Sequence, residues 1–174
     1  MESVTVRALQ PADHPALREM CARNLADLAT ALPLPSVLLH APPDERWVAG
    51  LLAGRAAGTV YPYVVLDRAE IVGVIAVHDV VDGTHADLTV WVDGRARGRG
   101  AATAAVARLR TIAHDSIGLQ RLAGAAQLGN GAAHRVLEKN RFELVGRVRR
   151  HRFVAGRWQD HLLFHSSTSP RARG

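Results

Sequence analysis

The chain has 174 residues, which suits a single domain large enough to bury roughly 70% of the surface that its unfolded form exposes. The sequence has no apolar run of about 18 residues and no basic N-terminal segment followed by an apolar one, so we expect a cytoplasmic protein without a membrane span. The one cysteine, Cys21, excludes an intrachain disulfide and a multi-thiolate site, and the histidines lack ligand-like spacing, so we expect no metal.

The net charge of +6 is divided unevenly along the chain. Residues 1–90 contain 6 basic and 11 acidic side chains, whereas residues 91–174 contain 16 basic and 5 acidic ones. A basic second half attracts phosphate-bearing ligands, including RNA. The densest basic patch has no aromatic residue interleaved for base stacking, and it consists of Arg147, Arg149, Arg150 and Arg152.

The hydrophobic periodicities predict one domain over residues 1–165. The predicted elements, in chain order, are a strand at 4–9, a helix at 10–28, a loop at 29–43, a helix at 44–56, strands at 60–66, 71–78 and 85–92, a helix at 101–117, a strand at 121–127, a helix at 131–140, a hairpin of strands at 142–153 and 158–165, and a disordered tail at 166–174. The three middle strands are separated by short turn signals, which predict an antiparallel meander.

The most informative segment connects the strand pattern that ends at Val92 to the helical pattern that starts at Ala101. The first N–H groups of a helix lack intrahelical partners, and the helix dipole favours an anion at the same place. Glycine allows backbone conformations that other residues avoid, and arginine adds positive charge. The segment brings both residue types to this helix start, as Arg95, Arg97, Gly98, Arg99 and Gly100. The sequence therefore predicts a site for a phosphate-bearing ligand.

Two familiar phosphate-binding motifs do not fit this segment. A P-loop needs a lysine followed by Ser or Thr, but the chain has one lysine, Lys139, far from the turn. A dinucleotide-binding fingerprint needs a third glycine, and Thr103 stands at that position. The spacing that fits is RxxGxA, from Arg97 through Gly100 to Ala102.

This spacing resembles the acyl-CoA pyrophosphate motif of the GNAT acyltransferase superfamily. A second register that begins at Arg95 also satisfies the motif, but it misplaces the flanking landmarks. In the preferred register, these landmarks are similar to those of the subfamily that acetylates the N-terminal amines of ribosomal proteins. They extend over residues 6–164 and comprise Trp91, Asp93, Thr103, Ala105, residues 118–122, Asn130, residues 136–139 and Phe142.

The resemblance implies a GNAT-type α/β (α+β) fold, with a mixed, mostly antiparallel central sheet flanked by helices. It also implies acetyl-CoA as the acyl donor. The implied cofactor-binding residues are Trp91, Val92, Arg97, Gly98, Arg99, Gly100, Ala101, Ala102, Thr103 and Asn130. Asn130 also suits a helix N-cap, so we expect it to have both roles.

Acetylation of an amine requires a neutral amine, a donor to the carbonyl oxygen and a proton for the sulfur. The resemblance implies that Asp87 is the base, because residues 86–88 stand where many relatives carry Ala-Glu-Ile with a base glutamate. It also implies that a main-chain N–H near Val92 supports the carbonyl oxygen. His78 and His85 flank the hairpin before the turn and are candidate substrate-binding residues.

The proton donor is where the family pattern is interrupted. Relatives often carry a Ser three residues, or a Tyr seven residues, after the Asn that corresponds to Asn130. Ala133 and Leu137 occupy those positions here, and neither can donate a proton. Arg141 replaces the usual Gly before Phe142, which predicts a remodelled helix end with the cofactor site retained.

A site with few residues that can accept or donate a proton suits an amine of low pKa. An α-amine with a pKa of about 8 is roughly one-tenth neutral at pH 7, whereas a lysine side chain with a pKa of about 10.4 is almost fully charged. We therefore predict an acetyl-CoA-dependent N-acetyltransferase, monomeric or homodimeric, for the N-terminal α-amine of a protein or peptide. Two alternatives stay open. One is acetylation of a small-molecule amine such as an antibiotic or polyamine, and the other is a non-catalytic acyl-CoA-binding or RNA/ribosome-binding module.

Overall fold

The structure is a computed structural model that describes residues 4–31, 44–154 and 156–168. Its strands are β1 (Val4–Ala8), β2 (Tyr61–Asp67), β3 (Glu70–Val81), β4 (His85–Val92), β5 (Arg121–Gln127), β6 (Glu143–Val154) and β7 (Arg157–Ser167). Its helices are α1 (His14–Arg23), α2 (Leu25–Ala31), α3 (Glu45–Ala56), α4 (Ala101–Thr111) and α5 (Gly131–Lys139). Short 3-10 turns lie at Pro11–Asp13 and Gly94–Ala96, and α4 continues as a wider π-helix over Ile112–Ile117.

The described strands form one seven-stranded sheet in the order β1-β2-β3-β4-β5-β7-β6. In the described part of the chain, β4 and β5 are the one parallel pair, and every other neighbouring pair is antiparallel. The parallel pair requires a crossover, which α4 provides. The predicted meander of β2, β3 and β4 and the mixed, mostly antiparallel sheet are confirmed.

Helices cover both faces of the sheet because strand residues alternate between two apolar clusters. On β3, Ile75 and Val77 pack with residues of α4 and α5, whereas Val74 and Ala76 pack with residues of α1, α2 and α3. On β4, Leu88 belongs to the first cluster and Trp91 to the second. Alternate residues of β4 therefore belong to different layers of the molecule.

The sheet opens between its two central strands. β4 pairs with β5 only from His85 to Leu88, opposite Arg121 to Gly124. Beyond these pairs, Thr89–Val92 continues along β3, and Ala125–Gln127 continues along β7. We call the space between these two segments the β4–β5 opening. It places the free main-chain edge of β4 directly before the glycine-containing turn.

Several predicted boundaries were wrong, and two of them have a clear physical reason. The helix predicted at 10–28 is interrupted at Asn24, whose side-chain amide donates to the carbonyl oxygen of Met20 at 2.8 Å and thereby competes with the helical bonding pattern. The predicted tail was to begin at Ser166, but Ser166 is buried and pairs with Leu122, and β7 continues to Ser167. Of the predicted loop at 29–43, residues 29–31 belong to α2, and the rest lies outside the described residues, as does residue 169 onward.

The end of α5 is not remodelled, contrary to the expectation from Arg141. The N–H of Phe142 donates to the carbonyl of Leu137 at 3.1 Å, and that of Arg141 donates to Glu138 at 2.9 Å, which is the bonding pattern of a Schellman motif. Arg141 has φ of 60°, the left-handed conformation that favours glycine. The helix end therefore keeps a glycine-type geometry with an arginine in it.

We expect Arg141→Gly to stabilise the protein relative to Arg141→Ala by about 1 kcal/mol, because alanine keeps the steric cost of positive φ and glycine removes it. The free energy of unfolding from urea titrations of both variants checks this. Equal stability of the two variants would contradict it.

Candidate active site

A buried carboxylate fixes the turn after β4. Arg23 donates from Nε and Nη2 to Oδ2 of Asp93 at 2.9 and 2.7 Å. The side chain of Asn24 and the main-chain N–H of Arg95 donate to Oδ1 at 3.2 and 3.1 Å. Burial alone would raise the pKa of Asp93, but the hydrogen bonds and charge of Arg23, with those from Arg95 and Asn24, hold it below its usual value. Asp93 thus ties the junction of α1 and α2 to the turn.

Arg97 is also held by protein groups. Its Nε donates to the carbonyl oxygen of Val92 at 3.3 Å, and Nη1 lies 3.0 Å from Oδ2 of Asp27 on α2. Gly98 and Gly100 follow with φ of 74° and 82°, so both adopt the conformation that favours glycine. Arg97 therefore ties the turn to β4 and α2, and the two glycines allow the backbone conformation that leads from the turn into α4.

The start of α4 fits a phosphate group. The N–H of Ala104 donates to the carbonyl of Gly100 at 2.9 Å, so the N–H groups of Ala101, Ala102 and Thr103 precede the first intrahelical bond. The first turn contains no acidic residue, and Arg99 beside it is exposed. This cradle of N–H donors and small side chains could hold the pyrophosphate of coenzyme A.

The edge of β4 can bind an extended arm through its main chain. The N–H of Asp93 donates to Val72 on β3 at 2.8 Å. Because main-chain groups alternate in direction along a strand, the N–H groups of Val90 and Val92 face away from β3 and into the β4–β5 opening. This orientation agrees with the predicted role of Val92 as a main-chain donor, which stays a prediction.

Asn130 and Trp91 are both predicted cofactor-binding residues, and the structure gives each of them a structural role. Asn130 precedes α5, and its side-chain oxygen accepts from the N–H of Ala133 at 3.0 Å, which confirms the N-cap. The remaining amide N–H groups of Asn130 are donors that could face a cofactor. Trp91 is buried in the cluster beneath α1 and α3, so its side chain packs in the core.

The side chains of Asp87 and Leu88 lie on opposite faces of β4. Its side chain is 42% exposed, and Oδ2 lies 3.8 Å from Nη2 of Arg152 on β6. His78 is its direct cross-strand partner and is buried, whereas His85 is exposed, with Nδ1 2.8 Å from the hydroxyl of Thr84. The structure therefore brings His78 close to Asp87 and leaves His85 at the strand end.

The β6–β7 hairpin adds two histidines that sequence analysis did not place here. The rings of His151 and His161 contact each other at 5.1 Å between centroids. Burial and the positive charge of Arg152 lower the pKa of His151, with Asp87 opposing this, and burial chiefly lowers the pKa of His161. The two histidines are ten residues apart and meet across an irregular part of the hairpin, between Val148 and Arg152, so linear spacing gives no signal for them.

Three side chains near the expected sulfur position offer no free proton. Leu137 is buried and packs against Gly124, where an added Cβ would lie 3.0 Å from its Cδ2. Ala133 is apolar. The Nε2 of His134 lies 2.9 Å from the carbonyl oxygen of Gln127, which uses that nitrogen in a main-chain bond.

Two features of other classes of protein are absent from the described residues. Over residues 4–31, 44–154 and 156–168, no helix is long and apolar enough to cross a membrane. The same residues contain no group of three His, Cys, Asp or Glu side chains that could hold a metal ion.

A mixed sheet that opens beside a glycine-containing helix start defines an acyl-CoA-binding class of protein. The family model of the acetyltransferase (GNAT) domain matches residues 3–143, and the chain belongs to that family. It is 28% identical over 173 residues to the Bacillus subtilis (strain 168) protein named "Putative ribosomal N-acetyltransferase YdaF". The matched region covers 95% of this chain and 91% of the relative.

Solved structures show the same fold. One is RimL, the ribosomal L7/L12 alpha-N-protein acetyltransferase in complex with coenzyme A, with a TM-score of 0.87, 20% identity, and coverage of 96% of this chain and 95% of that one. Another is the microcin C7 self-immunity acetyltransferase MccE with acetyl-CoA and AMP, with a TM-score of 0.86, 14% identity, and coverage of 97% and 94%. The protein is a GNAT-family N-acetyltransferase, and acetyl-CoA is its acyl donor.

We expect Asp93→Asn to lower the free energy of unfolding by about 2–3 kcal/mol near pH 7, because Arg23 loses its buried carboxylate acceptor and keeps the exposed Glu19. The folded-state pKa of Asp93 is depressed. Its contribution is therefore complete above the unfolded value of about 3.9 and is lost as the pH falls through the folded-state pKa. Urea titrations at a series of pH values check both the loss and its decline in acid.

Asp82→Asn, at an exposed turn position, is the control and should change stability little. A deficit of Asp93→Asn that stays constant into strong acid would contradict the role given to the charge of Asp93.

Proposed function

We propose that the protein acetylates the N-terminal α-amine of a protein or peptide in the cytoplasm. The observation that carries this proposal is the charge around Asp87. Arg152 lies 3.8 Å from its carboxylate, and His151 and His161 lie on the same hairpin. Asp87 can attract one ammonium group, while the neighbouring guanidinium of Arg152 disfavours a second positive charge.

A peptide N-terminus matches this arrangement better than a polyamine does. Its amine is followed at once by peptide carbonyl oxygens, which accept hydrogen bonds from a guanidinium or imidazole. A polyamine instead brings further cations to Arg152 and His151. The names of the relatives YdaF and RimL, which refer to ribosomal proteins, support the same class of acceptor.

Different residues of the chain bind the cofactor, stabilise the carbonyl oxygen and accept the proton in this proposal. We propose that Gly98, Arg99 and Gly100, with the N–H groups at the start of α4, hold the pyrophosphate, and that Asn130 holds the arm of the cofactor. Acetyl-CoA supplies the acetyl thioester when bound. The N–H of Val92 stabilises negative charge on the carbonyl oxygen, and Asp87 accepts the proton that leaves the ammonium group.

We expect thiol release from acetyl-CoA with unmodified peptides and none with the same peptides blocked at the N-terminus. A panel that varies the first residue, assayed beside spermidine and an aminoglycoside, measures this. Turnover with the small amines and none with any peptide would overturn the proposal. A thermal shift with acetyl-CoA but no turnover on any amine would favour a non-catalytic binding module.

We expect Asp87→Asn to lower kcat/KM for the acceptor about 100-fold, because the uncharged amide cannot accept the proton. The thermal shift with acetyl-CoA should be unchanged, since the cofactor cradle is formed by other residues. Asp115→Asn, an exposed position at the end of the helix after α4, is the matched control. Wild-type activity in Asp87→Asn would remove Asp87 as the base.

A further inference from the structure

A chain of hydrogen bonds runs beside Asp87. His78 is buried, and its Nδ1 lies 2.8 Å from Oδ2 of Asp79. Its Nε2 lies 2.8 Å from the hydroxyl oxygen of Thr89 on β4. The imidazole therefore connects a carboxylate on β3 to a hydroxyl on the acceptor side of β4.

The backbone is distorted where this chain forms. Neighbouring residues of a regular strand point to opposite faces, so His78 and Asp79 would not meet in one. The pairing of β3 with β4 is irregular between His78 and Val81, and Asp79 has φ of 52°. A bulge of this kind redirects a side chain, and strained backbone of this kind is concentrated at functional sites.

The chemistry of the three groups fixes the direction of the hydrogen bonds. An ionised carboxylate only accepts, so Asp79 selects the imidazole tautomer with the proton on Nδ1. With the proton on Nδ1, the Nε2 of His78 accepts, and the hydroxyl of Thr89 donates to it. The lone pairs of the Thr89 oxygen remain available to accept a hydrogen from a substrate nitrogen.

Thr89 occupies the point at which the sheet opens. Leu88 is the last residue of β4 that pairs with β5, and Thr89 follows it. Asp87 lies two residues before Thr89, on the same face of the strand. An amine bound to the carboxylate of Asp87 would therefore lie near the hydroxyl of Thr89.

The proton balance requires a second group. An ammonium group that becomes an amide loses two protons from nitrogen, the C–N bond forms, the C–S bond breaks, and the sulfur gains one proton. Asp87 accounts for one proton, which passes to solvent. Ala133 and Leu137 have no proton that they could donate to the sulfur.

We propose that Thr89 is the catalytic residue that transfers the second proton, with His78 and Asp79 as positioning residues that act through it. As the C–N bond forms, the Thr89 oxygen accepts a proton from nitrogen while its own proton moves to Nε2 of His78. Asp79 stabilises the resulting imidazolium. The proton returns through the same hydroxyl to the sulfur, which leaves as a thiol. This step rests on the proposed role of Asp87, and it applies to any amine that the enzyme accepts.

The charged neighbours of His78 come from three strands. Asp79 lies beside it on β3, Asp87 is its cross-strand partner on β4, and Arg152 and His151 approach Asp87 from β6. Asp79 is therefore the carboxylate bonded to the imidazole, and Arg152 pairs with the carboxylate of Asp87.

The test compares Thr89→Val with Thr89→Ser on whichever amine the wild type acetylates. We expect Thr89→Val to lower kcat about 100-fold with little change in KM for acetyl-CoA, and Thr89→Ser to retain most of the activity, because serine keeps the hydroxyl. His78→Gln should resemble Thr89→Val, since an amide cannot carry the proton. Thr111→Val removes a hydroxyl that donates to a main-chain carbonyl on α4 and is the matched control.

The pH dependence separates the two proton-transfer groups. With a peptide acceptor, the α-amine is mostly neutral above pH about 9, so the defect of Asp87→Asn should shrink while that of Thr89→Val persists. Thr89→Val activity within a few-fold of the wild type, or a Thr89→Ser defect as large as that of Thr89→Val, would overturn the proposal. Absence of peptide turnover by the wild type would contradict only the proposed acceptor, because the comparison can then use a small amine.

Discussion

The ion pair between Arg23 and Asp93 is the constraint on which the site depends. It joins the helices on one face of the sheet to the end of β4, and β4 leads directly into the cofactor turn. The pair is mostly buried, so removal of Arg23 would leave the Asp93 carboxylate without this counterion, and removal of Asp93 would leave Arg23 paired with the exposed Glu19. With Arg97 bonded to Asp27 and to the carbonyl of Val92, two basic side chains hold the turn against the N-terminal helices. The glycines can then present their backbone to an anion.

The partial pairing of β4 with β5 divides the site into two halves. On the β4 edge beyond Leu88, main-chain N–H groups face the β4–β5 opening, and the helix start beyond them suits phosphate. Polar side chains on the acceptor face, Asp87 and Thr89 among them, come next to the hairpin that carries Arg152. The proposed donor half is therefore built from main chain and small residues, whereas the proposed acceptor half is built from side chains that tertiary pairing assembles.

Sequence patterns predicted the elements well where one local force dominates. The predicted bounds of β5, 121–127, are the observed ones, and the helix predicted at 44–56 is α3, which begins at Glu45 after Asp44 as its N-cap. The predictions were wrong where a distant partner decides the conformation. Asn24 interrupts the first helix and donates to Asp93, a residue far along the chain, and Ser166 extends β7 because Leu122 pairs with it. A pattern of neighbouring residues does not predict partners that are this distant in the sequence.

The sequence alone predicted the anion site that we assign to the acyl donor. A strand, two glycines and a helix start within a few residues are sufficient for an anion site, because the geometry of a helix N-terminus is local. Tertiary structure alone decided the acceptor side. A bulge with positive φ at Asp79 turns its carboxylate to His78, and the irregular β6–β7 pairing brings His151 to His161. These contacts depend on strand register and backbone distortion, which are set by packing across the whole sheet and not by neighbouring residues.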